Sequence, residues 1–196
     1  LTMLGRISMI AVPSILQQSF ISIGNLFIQR LVNGYGSVVM ASYSAAIKLN
    51  TFVITSFTTL ANGLSSFTAQ NIGAGLPGRV REGFKAGLKM IFIVSIPFIV
   101  VYFGFSSAAM KFFLSSKEDI SAVLKEGTLF LRIVSPFYLV ISVKLMADGV
   151  LRGAGAMKSF MVATFSDLIL RVLLSYVLAK GLGMGSVGIW LSWPIG

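Results

Sequence analysis

Five ionisable residues stand inside apolar runs that ordinarily exclude charge. Lys144, Asp148 and Arg152 step by four along one run, and Asp167 and Arg171 are four apart in the next, with Ser175 following on that face. Opposite charges at this spacing share one helix surface and can pair, which predicts Asp148–Arg152 and Asp167–Arg171 contacts. In a low-dielectric setting pairing lowers the cost of burial without removing it. A carboxylate in a dry, closable cavity has a tunable proton affinity, so the chemistry these residues point to is proton or cation handling. The plainer alternative is a structural ion pair near a helix end, and it suits Asp148–Arg152 best because Arg152 lies at the edge of its run.

Two further runs carry polar residues, all but Lys48 uncharged, at helical spacing. Ser14, Gln18, Ser22, Asn25 and Gln29 fall on one face of the first, and Ser44, Lys48, Thr51, Thr55, Thr59, Asn62 and Ser66 on one face of the second. Such a face avoids acyl chains and turns to other helices or to a water-filled cavity. Hydroxyls alone can be explained by hydrogen bonds across tight helix contacts. Gln18, Asn25, Lys48 and Asn62 are less easily explained so, and a lysine at a helix centre costs about 2.5–3.5 kcal/mol on insertion scales. These residues, with Thr51, Thr55, Lys144, Asp148, Asp167 and Arg171, are the expected substrate and cation pathway.

Other chemistry finds no residues. The chain has no histidine and no cysteine, which excludes imidazole catalysis, disulfides and thiolate metal sites within it. It has no metalloprotease, P-loop or nucleophile-elbow motif, so neither an enzyme nor a bound metal or cofactor is expected. Gly73-Ala74-Gly75 follows an apolar helix rather than a strand and fails as a phosphate loop.

The elements that must position these residues are membrane spans. Of 196 residues 56% are hydrophobic and only 11% charged, with a mean hydropathy of +0.90; a soluble domain averages about 25% charged residues. Spans are predicted at residues 7–28, 38–72, 88–105, 120–150 and 160–179, with a sixth beginning at 187–196. Pro13, Pro97 and Pro136 are expected bend points. Residues 106–116 read as an interfacial piece, and the Lys117-Glu118-Asp119 run as a polar turn in which Asp119 caps the next helix. Both ends of the chain read as cuts in a longer protein.

The net charge of +10 is read as basic residues flanking spans and meeting lipid headgroups, not as a nucleic-acid surface. Arg6, Arg79, Arg81, Lys85, Lys89, Arg152 and Lys158 fall on one side, and Arg30, Lys111, Lys117, Lys125 and Lys180 on the other. The excess places the Gly73 and Arg152 turns in the cytoplasm.

Four motifs in order carry a resemblance. Gln70-Asn71-Ile72-Gly73-Ala74-Gly75 followed by Arg79, Leu151-Arg152-Gly153-Ala154-Gly155, the Gly181-Leu182-Gly183 turn leading to Gly188-Ile189-Trp190, and Pro13 with Gln17-Gln18-Ser19 together resemble the second half of multidrug and toxic compound extrusion (MATE) transporters. The resemblance implies an all-α integral membrane fold, a six-helix half (five complete helices and part of a sixth) of a two-lobed twelve-helix transporter. It implies a partner in the missing N-terminal half, a small drug-like substrate, antiport of organic cations or amphiphiles against H⁺ or Na⁺ by alternating access, and a multi-pass location in a bacterial inner membrane. The lone half is then expected to be inactive. The loop residues Gln70, Gly73, Ala74, Gly75, Arg79, Arg152, Gly153 and Gly155 would act at the ends of moving helices. Some Na⁺-coupled relatives carry an acidic residue in the first span of this half, whereas this chain has Gln18, Ser22 and Asn25 there. Lys48, Arg132, Lys144 and Arg171 keep open a lipid-linked precursor flippase of the same superfamily; a non-transporting membrane subunit and a lipid-modifying membrane enzyme are the readings outside transport.

Overall fold

Long apolar runs with few internal helix breakers become long helices. The computed structural model describes residues 2–113 and 120–195, in the order α1 (Thr2–Asn33), α2 (Ser37–Gly73), α3 (Pro77–Gly104), α4 (Ser106–Phe113), α5 (Ile120–Val134), a 3₁₀ turn (Ser135–Phe137), α6 (Tyr138–Gly153), α7 (Met157–Tyr176) continued by a π-helical turn (Val177–Gly181), and α8 (Ser186–Ile195). The Lys117-Glu118-Asp119 run and its proposed cap lie outside the described residues. Five segments among the described residues are long and apolar enough to cross a membrane; α8 has ten residues and is not one of them.

Hydropathy and helix bounds part company at α3. The apolar run begins at residue 88, yet the helix starts at Pro77. Proline at the first turn is pre-set for a helix, and Arg79 to Lys89 are mostly good helix formers. Hydropathy registers only the part of a helix that meets hydrocarbon. Pro136 acts as expected: it lacks an N–H, and the long fourth span breaks there into α5, the 3₁₀ turn and α6. Pro13 and Pro97 lie inside α1 and α3, which stay α-helical through them.

α2 is the central helix and packs on α3, α5 and α6; α1 packs on α7, and α7 on α8. Lipid offers no hydrophobic drive for helix association, so close packing and interhelical hydrogen bonds must hold the lobe. Gly149 and Gly153 of α6 lie directly on the backbone of α2, against Ala61 and Ser65. One aromatic cluster joins Phe57, Phe98, Tyr102 and Tyr138 across α2, α3 and α6. A second stacks Tyr43 on Trp190 at 5.5 Å, with Phe130 edge-on at 5.1 Å.

Two phenols pin α2 from within. Tyr102 donates to the Leu49 carbonyl at 3.2 Å, and buried Tyr138 donates to Asn50 Oδ1 at 3.0 Å. Tyr138→Phe leaves the amide oxygen of Asn50 unpaired in a dry interior. The expected loss is about 1–2 kcal/mol, measured as a lower melting temperature in detergent, with Tyr176→Phe as a neutral comparison.

Candidate functional site

Three charged residues of α6 and α7 meet in one cluster. Lys144 Nζ lies 3.1 Å from Asp167 Oδ2 on α7 and 3.4 Å from Asp148 Oδ2 one turn along its own helix. The side chains are 38% exposed for Lys144, 29% for Asp167 and 11% for Asp148, so the cluster is partly open on the Lys144 side. Two carboxylates share one ammonium, which leaves the trio one negative charge in excess.

The predicted pairs Asp148–Arg152 and Asp167–Arg171 do not form. Among the described residues the ion pairs within 4.0 Å are the two made by Lys144. Arg152 donates instead to Asn62 Oδ1 of α2 at 3.0 Å and lies 5.5 Å over the Phe160 ring. Arg171 donates to Asn25 Oδ1 of α1 at 3.2 Å and lies 4.8 Å over the Trp193 ring of α8. The physical reason is reach: a long cationic side chain takes partners across a helix interface as readily as along its own helix. Asn25, Asn62, Lys144, Asp148, Asp167 and Arg171 thus enter three separate polar contacts, which tie α6 to α7, α6 to α2 and α7 to α1.

The polar face of α2 has a different fate. Ser44, Lys48, Thr51, Thr55, Thr59, Asn62 and Ser66 are all exposed in this chain. Thr51 and Thr59 donate to carbonyls four residues back, Ile47 and Thr55. Their hydroxyls therefore do not bond across helix contacts. Lys48, Thr51 and Thr55 line an open cavity of about 740 Å³ bordered by Val94 of α3. On α1, Gln18 and Ser22 are also exposed, and Ser22 donates to the Gln18 carbonyl.

The two glycine motifs are two copies of one helix cap. In the first, Ala74 N–H donates to Gln70 O, Gly75 to Ile72 O and Leu76 to Asn71 O at 2.8–3.0 Å; in the second, Ala154 donates to Val150 O, Gly155 to Arg152 O and Ala156 to Leu151 O at 2.8–3.0 Å. Gly75 and Gly155 take φ of 73° and 71°, the left-handed conformation that glycine accepts without steric penalty. Gly73 is exposed, whereas Gly153 carries no side chain because Ser65 and Thr68 of α2 occupy its place. Gln70, Ala74 and Arg79 are exposed around the first turn.

Comparison with known proteins agrees with this architecture. The MatE family model matches residues 13–177. The chain belongs to the MatE family. It is 25% identical over 181 residues to the probable multidrug resistance protein YpnP of Bacillus subtilis (strain 168), and 22% identical over 186 residues to the probable multidrug resistance protein YoeA of the same organism. These alignments cover 92% and 94% of this MatE chain but only 40% and 39% of the relatives. Among solved structures, a MOP superfamily transporter from Pyrococcus furiosus Vc1 superposes with a TM-score of 0.87 at 20% identity, over 96% of this chain and 41% of that one. A multidrug resistance MATE family transporter in an outward-facing conformation gives the same figures. A MATE transporter in complex with MaD3S gives 0.85 at 20% identity, over 96% and 42%. The MatE chain therefore has the fold of one half of these two-lobed transporters.

Four residues of the MatE lobe that partner buried or interfacial polar groups escape sequence reasoning. Gln17 donates to Thr164 Oγ1 of α7 at 3.3 Å; it lies one residue off the stripe and turns inward while Gln18 turns out. Asn50 is buried on the side of α2 opposite the open stripe. It sits between Lys48 and Thr51 of the stripe, whose polar pattern masks it. Trp193 and Phe160 read as ordinary apolar residues, and nothing in the pattern marks them as platforms for Arg171 and Arg152.

Proposed function

We propose that this chain is one lobe of a secondary active transporter that exports drug-like organic cations or amphiphiles in exchange for H⁺ or Na⁺ by alternating access. The observation that carries the reading is Lys144 held between Asp148 of α6 and Asp167 of α7 inside a membrane lobe. A proton or Na⁺ that neutralises either carboxylate removes one of the two bonds made by that ammonium. Ion binding is thereby worth different amounts in arrangements that keep or lose the α6–α7 tie, which is the condition for an ion to shift a conformational equilibrium. Because α1 carries no acidic residue in its polar stripe, coupling in this half falls to Asp148 and Asp167.

The exposed α2 stripe around Lys48, Thr51 and Thr55, with Gln18 of α1, would line the pathway facing a second lobe. The lone lobe lacks the opposite wall and should not transport. The multidrug resistance names of the Bacillus relatives support a drug-like substrate and a multi-pass location in a bacterial cell membrane. A flippase for an anionic headgroup would want free intramembrane cations. Lys144 and Arg171 are already engaged and Arg132 donates to Ser106; Lys48, exposed on the α2 stripe, is the cation that keeps the flippase as the second reading.

The test is efflux of a fluorescent organic cation from proteoliposomes holding the intact protein, under separately imposed Na⁺ and H⁺ gradients. Transport driven by one gradient supports the reading and names the ion; no response to either overturns it. Asp167→Asn is expected to lower gradient-driven efflux at least tenfold while substrate binding persists. Normal efflux at every pH would remove Asp167 from the mechanism.

A further inference from the structure

A second cavity, of about 500 Å³, opens between α2 and α3 near the Gly73 turn. Its floor is apolar, with Leu64 and Phe67 of α2, Met90 of α3 and Met146 of α6; its mouth carries Arg79 and Glu82. Glycine makes the room. A Cβ on Gly63 would meet nothing within 4 Å, while Phe67 and Met146 lean onto α3 where Gly83 and Gly87 have no side chains.

The mouth lies at headgroup level. α3 has 28 residues, about 42 Å at ~1.5 Å per residue, against a hydrocarbon core of about 30 Å. Its first turns must therefore stand outside the core, and they carry Arg79, Arg81, Lys85 and Lys89 against the single acid Glu82. Among the described residues none of these four cations makes an ion pair within 4.0 Å. Basic groups at this depth attract anionic headgroups; Arg79 is the one of the four that lines the crevice, beside Glu82, and the apolar floor beneath it fits a hydrocarbon chain. A cationic drug-like amphiphile matches the floor but meets a helix start with four cations to one acid.

We propose that this crevice binds one anionic phospholipid, its phosphate at Arg79 and an acyl chain against Leu64, Phe67 and Met146. The inference does not rest on the Lys144 cluster, although Thr59 of the α2 stripe and Leu60 line both this crevice and the cavity beside Lys48.

The intact protein in nanodiscs of equimolar dioleoyl-phosphatidylglycerol and dioleoyl-phosphatidylcholine provides the test, with retained lipids counted by native mass spectrometry. The wild-type protein is expected to retain phosphatidylglycerol at least fivefold over phosphatidylcholine. Gly63→Phe fills the floor and leaves every cation in place; Arg79→Gln removes the exposed headgroup partner and leaves the floor intact. Both are expected to bring retention to parity. Lys158→Gln, a basic residue beside the other glycine turn, should keep the preference. Equal retention of the two lipids by the wild type overturns the site, as does a preference that survives either Gly63→Phe or Arg79→Gln. An equal loss in Lys158→Gln would replace it by diffuse attraction to a basic surface.

Discussion

Gly149→Ala is expected to destabilise the lobe by about 3 kcal/mol or more, although alanine is the better helix former. A Cβ at Gly149 would run into the backbone carbonyl of Ala61, and one at Gly153 into that of Ser65. Neither obstacle is a flexible side chain that can swing aside, so α6 must move off α2. That contact is the most extensive in the lobe and includes the Tyr138–Asn50 and Arg152–Asn62 hydrogen bonds. Gly63→Ala is the comparison, because its Cβ enters open space. There the helix propensity acts alone and the change should be neutral or stabilise by about 0.5–1 kcal/mol. Thermal unfolding in detergent, followed by fluorescence-detected size exclusion, reads both. Equal melting temperatures for the two variants would mean that α2 and α6 are not in backbone contact.

Lys144→Met is expected to be the most damaging single change among the charged residues. It leaves Asp148 and Asp167 facing each other with no counter-charge between them. Breaking a fully buried ion pair costs roughly 3–5 kcal/mol. Lys144 is 38% exposed, so water screens part of the effect, and a loss of roughly 1–3 kcal/mol is expected. The sign of the coupling is the sharper test. Lys144→Met/Asp167→Asn and Lys144→Met/Asp148→Asn should each be more stable than Lys144→Met alone, because each removes one of two opposed like charges. Additive losses in both double variants would show that the trio does not act as a unit.

The two glycines that set the α2–α6 contact belong to different levels of legibility. Gly153 sits in the Arg152-Gly153-Ala154-Gly155 motif and is readable as part of a turn. Gly149 lies in mid-helix, where its four-residue spacing from Gly153 hints at close packing without naming the helix that comes close. The helix ends were legible for a local reason: Gly75 and Gly155 need left-handed backbone, and a glycine there satisfies the last carbonyls of α2 and α6 through bonds spanning a few residues. The start of α3 was not, because hydropathy reports lipid contact, whereas the Arg79–Lys89 stretch is helical outside it.

What the sequence alone determined is everything that depends on the solvent and on neighbours a few residues away. So few charges and so much apolar surface require lipid around an all-α chain, Pro136 breaks the fourth span for want of an N–H, and the ordered loop motifs point to the family that the MatE match then shows. The four-residue spacing already offered Lys144 to Asp148, and that pair forms; what only the tertiary structure decided is the partner each polar group finds on another helix. Spacing along a helix offered Arg152 to Asp148 and Arg171 to Asp167; packing brought α7 within reach of Lys144, α2 within reach of Arg152, and α1 and α8 within reach of Arg171. Periodicity states which residues share a face, but which helix lies opposite that face follows from the close packing of the whole lobe, where a glycine in mid-helix decides how near two backbones come.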